Sequence, residues 1–357
     1  MKRILLMVLR NLWFVPYGWF KLCYTAAHVE KYTEEERYQI LKMIDRRANI
    51  GGRITIDAYG VENIPKQDGF MFFPNHQGLY DVLAILEVCP RPFSVVMKKE
   101  VENVPFLKQV FACMKAIPLD RNDLRQGLQV IKQVAEEVKE GRNYLIFAEG
   151  TRSRKGNQLL DFKGGSFKSA VKAQCPIVPV ALIDSYKSFD TNSIKKLTVQ
   201  VHFLEPIPYE KYQGMKTTEI AAMVKQRIEE TIKEFEEIED YTNDVIGTEK
   251  IVITKQRVNQ SVFKKRLLKR YESKCCLCCV SGNDMLIASH IKPWCEADME
   301  ERVDVNNGLL LCPNHDWLFD KGFISFDDTG AIIISSKLCH NNQVFMNIDD
   351  KQYIEMS

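Results

Sequence analysis

His76 and Asp81 stand close together in Asn75-His76-Gln77-Gly78-Leu79-Tyr80-Asp81. This pairing suits acyl transfer to an alcohol. The imidazole accepts the hydroxyl proton as attack begins, and a carboxylate on the other ring nitrogen fixes the tautomer and stabilises the imidazolium. The interval alone is weak, because His315 and Asp320 repeat it in a chain with six histidines, and a turn or capping histidine is the competing reading. Further along, Phe147-Ala148-Glu149-Gly150-Thr151-Arg152-Ser153 places an arginine fork beside a glycine and hydroxyls, the equipment for a bidentate grip on phosphate. Arg121 closes the segment from Ala116, and Lys98 follows the apolar run from Phe93. Phe162 to Ser166 reads as the opening of a helix whose amides can take an anion. Each cation alone reads equally well as solvated surface charge. Together they all follow apolar runs, in one order.

A second set of residues lies near the C-terminus. Cys275-Cys276-Leu277-Cys278-Cys279 contains C-x-x-C in two registers, 275/278 and 276/279, with Cys312-Pro313-Asn314-His315 downstream. Soft thiolates at this spacing suit a tetrahedral zinc ion, and reduced core cysteines are the alternative. Within this knuckle sit Ser289-His290, then Asn306-Asn307-Gly308, then His315-Asp316. A histidine at a strand end, an asparagine and a histidine on a following helix are what a one-metal nuclease uses. His290 would deprotonate the attacking water, Asn307 would orient His290, and His315 would help hold a divalent ion, Mg or Mn, on the scissile phosphate.

These residues need elements to carry them. The chain has 357 residues, 45% apolar and 27% charged, an ordinary globular composition too long for one average domain. Six strands are expected, at Ile54–Tyr59, Phe70–Phe73, Phe93–Met97, Tyr144–Phe147, Ile177–Leu182 and Leu197–Phe203, alternating with helical patterns as in an α/β domain. Leu124, Leu128, Ile131, Ala135 and Val138 mark a helix from an Asn122/Asp123 start to a Gly141 stop. A last helix begins near Thr217 and ends in seven acids between Glu229 and Asp240. Nine bases between Lys250 and Lys274 then face Glu272 alone, so the net charge of +2 averages an acidic helix end and a basic patch suited to phosphate contacts. The domains expected are an N-terminal helix over 1–28, an α/β domain over 29–240, a linker over 241–249 and a second domain over 250–357. Of eleven cysteines, seven fall from Cys275 onward, and the odd total without a secretory leader fits a reducing compartment. The stretch Ile4–Phe20 is apolar but interrupted by Arg10, Asn11 and Pro16. It is expected to lie on a membrane rather than cross it, with Lys2, Arg3, Arg10, Lys21, Trp13, Tyr17, Trp19 and Phe20 as an interfacial mixture. The competing reading is a helix packed on the protein's own core.

Residues 50–210 resemble the 1-acyl-glycerol-3-phosphate acyltransferases of the glycerolipid acyltransferase superfamily. Asn75-His76 to Asp81 matches the catalytic H-x4-D block, Phe147 to Ser153 the F-P-E-G-T-R-S block, Arg121 the second-block arginine and Val178-Pro179-Val180 the fourth block. Ala148 stands where proline is usual, and Cys113-Met114-Lys115 where the second block usually carries glycine. The resemblance implies a glycerolipid acyltransferase-like fold at the cytoplasmic face of the cell membrane, peripheral or monotopic. It implies transfer of a fatty acyl group from acyl-CoA or acyl carrier protein to lysophosphatidate, without a cofactor. His76 would be the base and Asp81 its orienting partner, with Lys98, Arg121, Glu149, Gly150, Thr151 and Arg152 holding the glycerol phosphate. Residues 258–337 resemble the HNH endonucleases in the order A-S-H-I-x-P-W, N-G-L-L-L, H-x-x-L/F-F-D-x-G. That implies a small ββα-metal domain with a zinc knuckle of Cys275, Cys278, Cys312 and His315, acting on DNA. The usual C-x-x-C-H ending is replaced by Cys312 to His315, so His315 serves either a catalytic ion or the knuckle, and Asn306 competes with Asn307 for the middle role. Three readings follow: a membrane-surface acyltransferase with a fused nuclease-like module; a DNA endonuclease tethered by an acyltransferase-like domain; or an acyltransferase with a non-catalytic zinc- or DNA-binding module.

Overall fold

The structure is a computed structural model and describes residues 2–104, 106–241, 260, 263–278, 280–293, 296–297, 301 and 304–354. These form two compact units, Met1–Glu234 and Phe235–Ser357. Beyond Tyr241 the expected linker lies outside the described residues, as do Lys250, Lys255, Arg257, Cys279, Trp294 and Cys295.

The first unit is built on one seven-stranded sheet. Its strands are β1 (Ile54–Tyr59), β2 (Met71–Pro74), β3 (Ser94–Lys98), β4 (Ile117–Leu119), β5 (Tyr144–Leu145), β6 (Ile177–Ile183) and β7 (Leu197–Phe203), in the order β1-β7-β6-β2-β5-β3-β4. All neighbours are parallel except β6 and β7. β2 and β6 are buried along their whole length, which is why they read as unbroken apolar runs. β4 is not among the runs that the sequence marks. It is three residues long and contains Pro118, tolerated because β4 is the sheet edge, where a missing N–H leaves no partner unpaired. The expected helix is present at Leu124–Lys139, capped by the Asp123 carboxylate, which accepts from the Arg125 and Gln126 N–H groups at 2.9 and 3.0 Å.

The N-terminal region is two helices, α1 (Lys2–Arg10) and α2 (Val15–Ala27), where one was expected over 1–28. The Asn11 amide ends α1 by donating to the Met7 carbonyl at 2.8 Å and to the Arg47 carbonyl at 3.0 Å. Pro16 lacks an N–H and fits the first turn of a new helix. α1 packs on α3 (Glu34–Gly52) at a pair of glycines: a Cβ on Gly51 would lie 2.1 Å from Asn11 Nδ2, and one on Gly52 2.5 Å from Met7 Cε. Arg3, expected at the membrane interface, points inward instead. Its guanidinium donates to the carbonyls of Gly52 and Lys195 at 2.6 and 3.0 Å and is 2% exposed. The outer face is apolar, with Leu5, Leu9, Leu12, Trp13, Tyr17 and Phe20 exposed, Trp13 at 99%. No described helix is long and apolar enough to cross a membrane.

In the second unit β8 (Ile287–His290) pairs antiparallel with β9 (Gly308–Leu311), and the helix Pro313–Asp320 follows directly, a β-β-α unit. Leu267, Leu309, Leu310, Leu311, Leu318 and Ile324 form its core.

Candidate active site and metal centre

β2 ends at Pro74, so Asn75 and His76 emerge at the carboxyl end of the parallel strands, where α/β sheets place their ligands. Asn75 ties this exit to β6, its amide donating to the Leu182 carbonyl at 3.0 Å while its oxygen accepts the Leu182 N–H at 2.7 Å. The His76 N–H donates to Glu149 Oε1 at 2.6 Å, and its carbonyl accepts the Ser153 N–H at 2.9 Å. The Phe147 ring stacks on the imidazole with centroids 3.9 Å apart. The residue is therefore held at both main-chain polar groups and on one face of its ring.

His76 Nδ1 lies 2.8 Å from Asp81 Oδ2. Asp81 begins α4 (Asp81–Val88) and is fully buried, and its carboxylate also accepts the N–H groups of Gln77 at 2.6 Å and Gly78 at 3.0 Å. An ionised carboxylate only accepts, so Nδ1 carries the proton and Nε2 keeps its lone pair. That is the tautomer a general base needs.

A cavity of about 810 Å³ opens beside the imidazole. One part of its wall is apolar, with Val82, Leu83, Val110, Phe111, Leu128 and Ile131. The other part carries Lys98, Arg121, Gly150, Thr151 and Arg152, which the structure thus brings together with His76. Lys98 pairs with Glu100 at 2.9 Å, whereas Arg121 and Arg152 form no ion pair with a described carboxylate. Glu149 is a correction. It is 1% exposed and absent from the cavity wall, and its oxygens accept the backbone N–H groups of His76 and, at 2.9 Å, Leu160. Burial raises its pKa against the pull of those hydrogen bonds, so this acid fixes the histidine loop rather than meeting a phosphate. The Phe162–Ser166 segment also differs from expectation: Gly164–Phe167 is a 3-10 turn, and the helix starts only at Lys168. Lys163, Gly165 and Ser166 of that segment nevertheless line the cavity, as do Arg154 and Lys168, which carry no spacing signal.

In the second unit Cys275, Cys278, Cys312 and His315 offer ligand atoms that all lie within 4.8 Å of one another. Cys275 Sγ is 3.3 Å from His315 Nδ1, and Cys278 Sγ 3.9 Å from Cys312 Sγ. Tetrahedral zinc with Zn–S of about 2.3 Å separates its thiolates by about 3.8 Å, so the donor set fits a soft dication. His315 Nε2 donates to the Met346 carbonyl at 2.8 Å, which leaves Nδ1 as the ligand nitrogen. The donors that converge are those of the 275/278 register, and burial pushes the Cys276 thiol up to about 12.

A His315 that served the knuckle would be unavailable to a catalytic ion. His290 stacks on Phe263 with centroids 3.8 Å apart, and Gly308 permits this, since a Cβ there would meet the Phe263 ring at 2.3 Å. The Asn307 amide engages the main chain, accepting the Lys292 N–H at 2.7 Å and donating to the Glu301 carbonyl at 3.0 Å, so it shapes the turn after His290. Asn306 accepts from Arg270 at 2.8 Å. Among the described residues the knuckle is the one group of three or more such donors within reach of a single ion. Mg or Mn prefers oxygen ligands, and no matching set surrounds His290 there.

Residues 55–183 match the family model described as Acyltransferase, and residues 275–327 the one described as HNH endonuclease. Over 167 residues the chain is 32% identical to the 1-acyl-sn-glycerol-3-phosphate acyltransferase of Salmonella typhimurium, covering 46% of this chain and 68% of that protein. The chain belongs to the 1-acyl-sn-glycerol-3-phosphate acyltransferase family. The enzyme of the same name from Borreliella burgdorferi is 31% identical over 185 residues, 50% of this chain and 74% of that protein. The crystal structure of the acyltransferase PlsC from Thermotoga maritima shares the fold, with a TM-score of 0.51 and 24% identity, covering 64% of this chain and 95% of that one. The acyltransferase unit thus carries the family's blocks, and an HNH segment is fused behind it.

Proposed function

We propose that the chain makes phosphatidate by transferring a fatty acyl group from acyl-CoA or acyl carrier protein to 1-acyl-glycerol-3-phosphate. The observation that carries this is the His76–Asp81 pair opening onto a cavity with one apolar and one cationic wall. His76 Nε2 takes the acceptor's hydroxyl proton as the oxygen attacks the thioester carbonyl. The C–S bond then breaks, and the imidazolium returns the proton to the departing thiolate. The thioester is already activated, so a single base-assisted attack suffices without an acyl-enzyme. Arg121, Arg152 and Lys98, with Gly150 and Thr151, hold the glycerol phosphate, and the apolar wall takes acyl chain. The exposed apolar face of α1 and α2 rests on the cytoplasmic face of the membrane as a peripheral or monotopic contact, with 29–240 as the acyltransferase domain.

The C-terminal region, 250–357, is a nuclease-like module held by a structural zinc, with the bases between Lys264 and Lys274 facing nucleic acid. The commitment of His315 to the knuckle favours DNA binding over cleavage.

One crossed experiment tests both assignments. Phosphatidate formation with membranes present and Mg- or Mn-dependent plasmid nicking are measured on wild type, His76→Ala and His290→Ala. His76→Ala should lose about 10³-fold in acyl transfer; retained transfer would sink the acyltransferase site. Nicking by wild type that His290→Ala abolishes would restore the endonuclease reading.

A further inference from the structure

A buried carboxylate that must stay ionised needs its lone pairs occupied. Asp81 Oδ2 has His76 Nδ1 and the Gln77 N–H, with the Gly78 N–H shared between the two oxygens at 3.0 and 3.1 Å. Oδ1 has one further donor, and it comes from far along the chain: the hydroxyl of Ser185.

Ser185 is fully buried and begins the 3-10 turn Ser185–Ser188, two residues after β6 ends. Its placement is fixed by the histidine loop itself. The Ser185 N–H donates to Gln77 Oε1 at 2.9 Å, and Gln77 Nε2 donates to the Leu182 carbonyl and to Asn157 Oδ1, each at 2.9 Å. Asn157 Oδ1 in turn accepts the Asp184 N–H at 2.9 Å, holding Asp184 at φ +64 so that the chain turns back toward Asp81. The hydroxyl therefore meets the carboxylate from the side opposite the imidazole. Without it, Oδ1 would keep only the shared Gly78 amide.

We propose that Ser185 is a positioning residue for acyl transfer, fixing Asp81 so that Oδ2 faces His76 Nδ1 and setting the basicity of the imidazole. The proposal rests on the acyltransferase reading above. Ser185 is absent from the cavity wall, so it acts through Asp81 and not on substrate. The other charged groups around this carboxylate and histidine are Glu149, on the His76 N–H; Lys98, Arg121, Arg152, Arg154, Lys163 and Lys168, on the wall of the same cavity; Asp190, whose Oδ2 lies 3.4 Å from a Cβ built on Gly78; and the Asp184–Lys187 ion pair at 2.6 Å. None of them is hydrogen-bonded to the Ser185 hydroxyl, which donates to Asp81. Loss of the hydroxyl leaves more negative charge facing His76, which holds the imidazolium more tightly. The neutral base then appears at higher pH.

The full chain is assayed with lysophosphatidate and palmitoyl-CoA on mixed vesicles, comparing wild type, Ser185→Ala, and the isosteric pair Ser185→Thr and Ser185→Val. Ser185→Ala and Ser185→Val should lose about 10- to 100-fold in kcat, the range for a hydrogen bond to a charged group. KM should stay within about twofold, the acid limb of kcat should move to higher pH, and Ser185→Thr should recover both rate and limb. The Thr and Val variants share a shape, so their difference isolates the hydroxyl even if Ser185→Ala folds poorly. The idea is overturned if Thr and Val behave alike, or if kcat and the acid limb of Ser185→Ala match wild type. Wild type that makes no phosphatidate, or His76→Ala that still does, would instead overturn the underlying acyltransferase reading.

Discussion

His76 and His315 are held by opposite means. His76 is fixed by neutral and charge-assisted hydrogen bonds to Glu149, Ser153 and Asp81, each anchored at the rim of a seven-stranded sheet. His315 faces three cysteines whose sulfurs crowd within 4.8 Å of its nitrogen and of one another, an arrangement that invites a cation at its centre. A large sheet buries enough apolar surface to hold polar groups in place by itself. A small unit with two-stranded sheets buries less, and a bound ion at such a cluster would serve the same purpose.

Cys312→Ser should break the contrast most sharply. It is expected to release about one equivalent of metal per chain and unfold the second unit, seen as rapid proteolysis there, while phosphatidate formation is unchanged. A chelator should do the same to wild type. Acyl transfer that fell in step with metal content would erase the distinction. Glu149→Gln sharpens the other side. The glutamine amide would set a donor against the His76 or Leu160 N–H, and an unmet buried donor should cost about tenfold in kcat with little change in KM. A KM effect alone would return Glu149 to the phosphate site. The smallest effect concerns Asp45, buried on α3 with Oδ2 lacking a partner. Burial first, then the nearby Glu87, hold its carboxyl well above the usual range. The folded state therefore keeps this proton longer than the unfolded chain does, and stability declines as pH rises through the folded pKa. Asp45→Asn should flatten that decline and raise Tm by about 2–4 °C at mildly alkaline pH, read by calorimetry. An unchanged pH slope would discount the group.

How far the sequence reveals this molecule depends on whether a residue's role is written in its neighbours. β6 is legible because burial on both faces makes a run of apolar residues, and the helix at Leu124–Lys139 because its stripe and cap are local. β4 is not, since three residues with a central proline make no run. His76, Asp81 and the cations share fixed spacings and strand ends, so the pair and the cations Lys98, Arg121 and Arg152 of the cavity wall can be read directly, while its apolar part cannot. Glu149 sits within the same block, yet its role follows from burial, which spacing does not encode. Ser185 is one serine after an apolar strand, joined to Asp81 only when β2 and β6 lie side by side. The choice between two duties for His315 likewise waits on which way its ring faces.

Gly51 and Gly52 clear the space on α3 that the Asn11 and Met7 side chains fill, and the Arg3 guanidinium pins the joint to the Gly52 and Lys195 carbonyls. α3 in turn packs on α4, the helix that Asp81 begins. The hairpin is therefore a rigid bracket and not a leash. A surface that took up its exposed tryptophans and leucines would set the tilt of the acyltransferase sheet, and with it the direction in which the cavity beside His76 points.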